Sequence, residues 1–389
     1  MTTESSPAGV MSYARARLLL GASAVGTLSV VAATSVALDL PGLLPDAPAA
    51  FGSEIAWLSL VVALAAALLA PFDLFGGWLL PREYGRSREP LAAFVVRYAH
   101  GAVLHAATLV SIAALLMLAA RLGGGVGTLV GYGLVSAVLL VAQPRIAAAI
   151  GRTRLRAVRG AEHASDLGTG TLILESAHSH VTGGAYGLPG RGAWVVPARW
   201  LERDDSISFG AHVRRRAWIT ASGARDRGVV LALAWNLVPI VLVIASSGAP
   251  DTVAAVTRLA LVSTLWSFVG VLVLPSPSRW AVYQADAAVV AGGEVDSAAF
   301  TAGLTALERD QDDELERARG VETIFHPVPA ARHRMAALRG ERAAGPSALA
   351  AWHAARTALY LSWAGVGLLG RAVHCNLGRP EAWVFLPSD

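Results

Sequence analysis

Between Arg97 and Arg121 the chain reads YAHGAVLHAATLVSIAALLMLAA, Tyr98–Ala120, without a charged side chain inside it. A helix that crosses the hydrocarbon core needs about 17–25 mainly apolar residues, because backbone polar groups in lipid must bond within the segment. Working outward, five more runs meet that requirement: Leu18–Leu38, Ile55–Phe72, Leu122–Gln143, Val229–Ser246 and Leu259–Leu274. The run at Leu122 is weakened at its start by Gly123, Gly124, Gly125 and Gly127, and Pro239 predicts a kink in the fifth. The expected fold is therefore mainly α, a polytopic membrane protein with about six transmembrane helices, four and then two, around a cytoplasmic domain.

Composition agrees. Of 389 residues, 54% are hydrophobic and 15% charged, with a mean hydropathy of +0.51; soluble domains carry about 25% charged residues. All 32 basic residues are Arg, which excludes Schiff-base lysine chemistry and the phosphate-loop Lys. The net charge of +4 is modest, and Arg clusters beside apolar runs suit membrane lipid, not nucleic acid. Cys375 is the single cysteine, so neither an internal disulfide nor a cysteine zinc site is available. The first 17 residues are polar and lack an Ala-x-Ala signal, so the first run reads as a retained span.

Loop charges set an expected orientation by the positive-inside rule. Arg15 and Arg17, the group Arg82, Arg86 and Arg88, the cluster Arg145–Arg159, and the pair Arg225 and Arg227 fall on one side. The loops at 39–54 and 247–257 carry only Asp39, Asp46, Glu54 and Asp251. This places the chain in the cell membrane with both termini and the central domain cytoplasmic. The expected divisions are 1–17, 18–144 (four spans), 145–228, 229–274 (two spans), 275–345, and 346–389 as an interfacial or packed helix and tail.

Within the polar parts, Thr171–Glu175 and Ala193–Val196 read as strands, Thr182–Pro189 as turns, and Ser208–Ala221 as a helix. Arg279–Gly292, Ser297–Arg319 and Ala330–Arg339 read as further helices. Ala348–Leu369 reads as one apolar helix, broken by His353 and Arg356 and too short in its charge-free part to span.

Three blocks in this order resemble the HtpX and CAAX prenyl protease (Ste-type) group of membrane zinc metallopeptidases. The first runs Ala185–Pro189, Gly192–Val196, then Trp200-Leu201-Glu202. It is similar to the group's edge strand and the turn leading to its active-site helix. The second is Phe209–Arg216, containing His212-Val213-Arg214-Arg215-Arg216 where the group has HExxH. The third is Ser278–Asp286, similar to SRxxExxAD, with a tail match at His326-Pro327 and Arg334-Met335. The resemblance implies a gluzincin-like α/β peptidase domain split by the last two spans, with zinc as the group's cofactor.

The chemistry of that site is altered here. In HExxH the two His share one helix face and bind one metal, the Glu is the general base, and a third ligand comes from elsewhere. The resemblance retains His212, Asp286 and Arg279. It places Val213 at the base, Arg216 at the second ligand and Val282 at the third. Valine takes no proton, and a guanidinium offers no lone pair. The expectation is a catalytically dead relative without a bound cofactor, in which His212 faces Asp286 and Arg216 stands in as a cation. It would bind peptide or membrane-protein clients along the strand Ala193, Trp194, Val195 and Val196 by strand addition, or partner an active protease.

Two alternatives stand beside it. One is an active zinc peptidase with a rearranged site of His178, His180 and His212, with Glu175 or Glu202 as base. The other is a structural or sensory membrane protein. His100 and His105, inside an apolar run, are functional candidates by position and structural ones by the ordinary bonding of a buried imidazole. The Arg214–Arg216 run reads as a solvated or headgroup-facing surface, and Trp194, Trp200, Trp218, Trp352, Trp363 and Trp383 as packing or interfacial anchors.

Overall fold

The structure is a computed structural model, described for residues 11–48, 50–158, 170–202, 206–293, 296–311, 314–341, 351–362 and 367–385; the side chains of 202 and 206–209 are not described. Helix α1 spans Tyr13–Ala37 and starts on Ser12, whose Oγ accepts from the Arg15 N–H. Helix α2, Phe51–Leu74, runs through a π-turn at Phe75–Leu79 into α3, Leu80–Glu83. Helix α4 covers Leu91–Gly151. Among the described residues, α1, α2 with its continuation, α4 and two later helices are long and apolar enough to cross a membrane. They carry outward-facing Leu19, Val30, Leu64, Val103, Val126, Val138, Val241 and Leu242. An apolar exterior on this scale suits lipid.

The 61 residues of α4 would extend about 90 Å if straight, roughly three times the hydrocarbon thickness. They are two helices. Gly123 and Gly124 leave helical geometry, and Gly124 takes a φ of +57° that a side chain would strain. Beyond the break the chain folds back, close enough that a Cβ on Gly127 would lie 2.1 Å from the carbonyl oxygen of Ala119. Near the other end of the hairpin, His100 Nε2 and the Ala149 carbonyl are 3.0 Å apart. The glycine cluster that weakens the fourth apolar run thus makes its turn. His105 is buried in the same hairpin, its ring 5.4 Å from that of Trp383. His105 thus sits in helix packing, whereas His100 is exposed and bridges the two arms of the hairpin.

The acidic loops gather at the hairpin's tip. Arg121 donates to both oxygens of Glu54, at 2.6 and 3.0 Å, and to the Asp251 carbonyl. Arg258 pairs with Asp39 at 2.6 Å. Two arginines therefore share that end with the carboxylates that define it.

After α4, strands β1 (Arg154–Ala157), β2 (Leu172–Glu175), β3 (Gly184–Tyr186) and β4 (Ala193–Pro197) form one sheet in the order β1-β2-β4-β3. β4 lies parallel to β2 and antiparallel to β3. The strand expected at the edge, Ala193–Val196, is therefore internal: the turn-rich segment before it doubles back and supplies β3. Beyond β3, the Gly187 N–H donates to the Leu140 carbonyl of α4, and Phe385 packs at Gly184.

Helix α5 (Ala198–Glu202) and α6 (Ser206–Ala221) lead into the apolar pair α7 (Ala224–Ser247), which continues through Pro239, and α8 (Val253–Val273), capped by Thr252. Helix α9 (Pro275–Ala291) returns antiparallel along α6: Ala211 clusters with Val289, and Ile219 with Ala281 and Ala285. The expected helix Ser297–Arg319 is two, α10 (Ser297–Gln311) and α11 (Arg319–Phe325). Helix α10 ends inside the acidic sequence Asp310–Glu316, where a helix C-terminus disfavours negative charge. Helix α12 is Ala331–Leu338. The single apolar helix expected at Ala348–Leu369 is also replaced, within the described residues, by α13 (Ala355–Leu361) and α14 (Leu368–Ala372). The tail then runs to Phe385 as turns and a short 3-10 segment. It is core, not periphery: Trp383, Val384 and Phe385 cluster with Val181 and Val195 of the sheet side and Leu139 and Ile150 of the hairpin.

Candidate functional site

Residues of β4, α5 and α6 form a stack under the sheet. His212 and Arg216 are four apart on α6 and share one face. The His212 ring stacks on Trp200, 4.9 Å between centroids, and the Arg216 guanidinium lies 4.7 Å from the Trp200 ring and 5.3 Å from that of Trp194. Arg216 is 1% exposed and donates to the carbonyls of Val195 (3.0 Å) and Thr182 (2.6 Å). A buried cation is tolerated because two carbonyl dipoles and two indole faces replace its water. Val213 packs with Val196, Trp200 and Leu307, and Val282 is buried in α9.

Asp286 lies on α9 beside α6, but its partners are arginines. Arg215 Nε reaches it at 2.6 Å, and Arg334 of α12 approaches with Nε and Nη2 at 2.6 and 2.7 Å. Burial raises the Asp286 pKa, but Arg334 and Arg215 outweigh it and hold the carboxyl below its ordinary value. Both oxygens of the carboxylate expected to face His212 are thus engaged by guanidinium groups. Arg215 and Arg216 are buried, which corrects the reading of Arg214–Arg216 as a solvated face. Arg279 donates to the carbonyls of Glu322, Thr323 and His326, the C-terminal end of α11, where a cation complements the helix dipole.

Among the described side chains, the stack offers one imidazole, two valines and a guanidinium that is already bonded. That set does not fit zinc, so no step is derived through a metal here.

The histidine pair of the alternative site lies elsewhere. His178 and His180, in the loop after β2, meet Glu381 of the C-terminal tail and not His212. The Glu381 Oε1 is 3.0 Å from His180 Nε2 and 3.8 Å from His178 Nδ1. Glu381 Oε2 accepts from Arg97 at 2.9 Å, and Arg97 also bonds both oxygens of Glu89. Burial, with Arg379 nearby, pushes the His180 imidazole down to about 3. Burial would raise Glu381, but His180, His178 and Arg97 hold it well below the usual carboxylate range. Of the two expected bases, Glu175 is half-exposed and paired with Arg156, and the Glu202 side chain lies outside the described residues. So does Trp363; Trp383 is buried with Nε1 donating to the Asn376 carbonyl.

No family model and no curated protein matches this sequence. Among solved structures, the crystal structure of S. mikatae Ste24p aligns with a TM-score of 0.61 at 12% identity, covering 80% of each chain. The chain has the fold of Ste24p. That agrees broadly with the resemblance to the CAAX prenyl protease group read from the ordered motifs. Identity at this level carries the architecture and leaves the chemistry to the residues present.

Two features escaped sequence reasoning. Arg215 and Arg334 as a clamp on Asp286 were hidden in a basic run and a weak tail match. Glu381 lies some 200 positions from His178 and His180; its one signal was an acidic residue inside the apolar tail Pro380–Phe385.

Proposed function

We propose that this protein is a membrane-embedded relative of the Ste-type peptidases that has lost zinc hydrolysis and acts by binding. In this reading the chain crosses the membrane six times, α4 contributing two crossings, and both termini, the sheet and α9–α12 are cytoplasmic. The observation that carries it is Arg216: the residue at the second ligand position is a buried guanidinium tied to Val195 and Thr182. Val213 and Val282 remove the base and the third ligand. The bound species is a peptide or membrane-protein client, or an active protease partner.

The internal position of β4 and the covering of β3 argue against strand addition at Ala193–Val196. A cleft of about 530 Å³ lined by Tyr13, Arg86, Glu89, His178, Arg309 and Asp310 is the better candidate contact.

The test is a peptidase assay on the purified full chain with zinc supplied, comparing wild type with His212→Ala. No cleavage above background is expected from either. Zinc-dependent cleavage that disappears in His212→Ala overturns the proposal. The variant Val213→Glu/Arg216→His/Val282→Glu, checked for folding, is expected to gain a zinc ion that depends on His212.

A further inference from the structure

The cluster of His178, His180 and Glu381 has no part in the stack of His212 and Arg216, yet it has the composition and geometry of a metal site. Two imidazole nitrogens and one carboxylate oxygen lie within 4.8 Å of one another. Ligand atoms about 2.0–2.1 Å from a tetrahedral zinc stand about 3.3 Å apart, so small side-chain rotations suffice. We propose that His178, His180 and Glu381 form a binding site for a borderline divalent transition-metal ion such as zinc, separate from the position of the family's metal.

Four observations support it. First, His180 Nε2 and Glu381 Oε1 are buried and 3.0 Å apart, yet neither has a hydrogen bond of acceptable geometry. Two buried polar atoms that converge without a well-aligned hydrogen bond between them leave a place for a cation. Second, the carboxylate is held as metal-ligating carboxylates are: Arg97 occupies Oε2 and leaves Oε1 for the ion. Glu89 offsets the charge of Arg97 by bonding it twice. Third, the ligands come from tightly placed backbone. Gly151, at the end of α4, admits the Glu381 backbone so closely that a Cβ there would sit 2.8 Å from its Cα. The His178 N–H is fixed on Ser176 Oγ. Fourth, the site is open on one side. His178 is about one-third exposed and lines the 530 Å³ cleft, so water or a client group completes the coordination shell. The arginines on that wall, Arg86, Arg309 and Arg379, oppose a bare cation and favour an anionic fourth ligand.

This inference stands apart from the proposed loss of peptidase activity, because His212 belongs to neither the ligands nor their supports. The experiment is metal analysis and cobalt titration of the full-length protein in detergent micelles, freed of metal and reloaded with zinc or cobalt alone. One ion per chain is expected, with cobalt giving visible d–d absorption displaced by zinc. His178→Ala, His180→Ala and Glu381→Gln are each expected to weaken zinc at least tenfold, and His212→Ala to leave it unchanged. Zinc is also expected to raise the thermal midpoint of wild type and not that of His178→Ala. Because His178 is partly exposed, its variant decides the matter if the buried ones fail to fold. Absence of a stoichiometric ion in wild type, or zinc affinity unchanged in His178→Ala, overturns the proposal.

Discussion

The guanidinium of Arg216 donates to the carbonyl oxygen of Val195 at 3.0 Å and so ties helix α6 to the central strand β4. The residue at the proposed second ligand position thus acts as a structural pin. Charge-assisted hydrogen bonds to buried groups contribute about 1.5–3 kcal/mol each, and their loss strands the acceptors. Arg216→Ala should therefore lower the thermal midpoint of the solubilised protein by several degrees, and Arg216→Lys should recover only part of that loss. A midpoint within a degree of wild type would show that the two carbonyls find water instead.

Asp286 is clamped by Arg215 and Arg334, all three buried. Removing one member of a buried charge network costs about 3–5 kcal/mol, because the remaining charge is uncompensated, whereas apolar replacement of the whole network is often near neutral. Asp286→Asn should destabilise strongly, and Arg215→Met/Asp286→Leu/Arg334→Met less than Asp286→Asn alone. Additive losses in thermal unfolding would contradict the coupling.

Asp73 of α2 accepts from Arg371 of α14, from Tyr98 of α4 and from the Gly378 N–H. This network anchors the C-terminal tail between the apolar helices, where polar groups lack water. Arg371→Ala is expected to destabilise by about 3–5 kcal/mol and to make residues 373–385 accessible to carboxypeptidase. Persisting protease resistance would place the anchor in apolar packing alone.

His326, like His180, contributes acid sensitivity. Burial, followed by Arg317, His374 and Arg279, holds its pKa well below 6.5. As pH falls below about 6.5 the unfolded chain takes up a proton that the folded chain refuses, so stability declines toward acid and is fully present above that range. The midpoint should drop between pH 7 and 5 with a smaller slope in His326→Gln. Equal slopes would assign the proton uptake to other groups.

Orientation is tested by cysteine labelling in a Cys375→Ser background. Leu43 and Leu122 are 82% and 80% exposed and lie beside the acidic loops; Arg191 is in the β3–β4 turn. Leu43→Cys and Leu122→Cys should react with an impermeant maleimide on intact cells, and Arg191→Cys only after lysis. The reverse pattern would invert the proposed topology.

The sequence alone marked the apolar helices, since lipid demands long uncharged runs and that property is local. Their ends moved: α1 starts at Tyr13 and not Leu18, and α4 runs past Gln143 to Gly151. The sequence also marked the hairpin through Gly123–Gly127, and β2, β4, α6 and α9 through their patterning. It fixed the identities of Val213, Arg216 and Val282, on which the proposed loss of zinc rests, because ligand chemistry belongs to the side chain itself. Tertiary structure alone decided the partners. It placed β4 inside the sheet, gave Asp286 to Arg215 and Arg334, and buried two members of an arginine run that looked solvated. It also brought Glu381 to His178 and His180. These outcomes depend on which charges share a desolvated space, and for side chains separated by up to 200 positions that is set by packing, which no local pattern records.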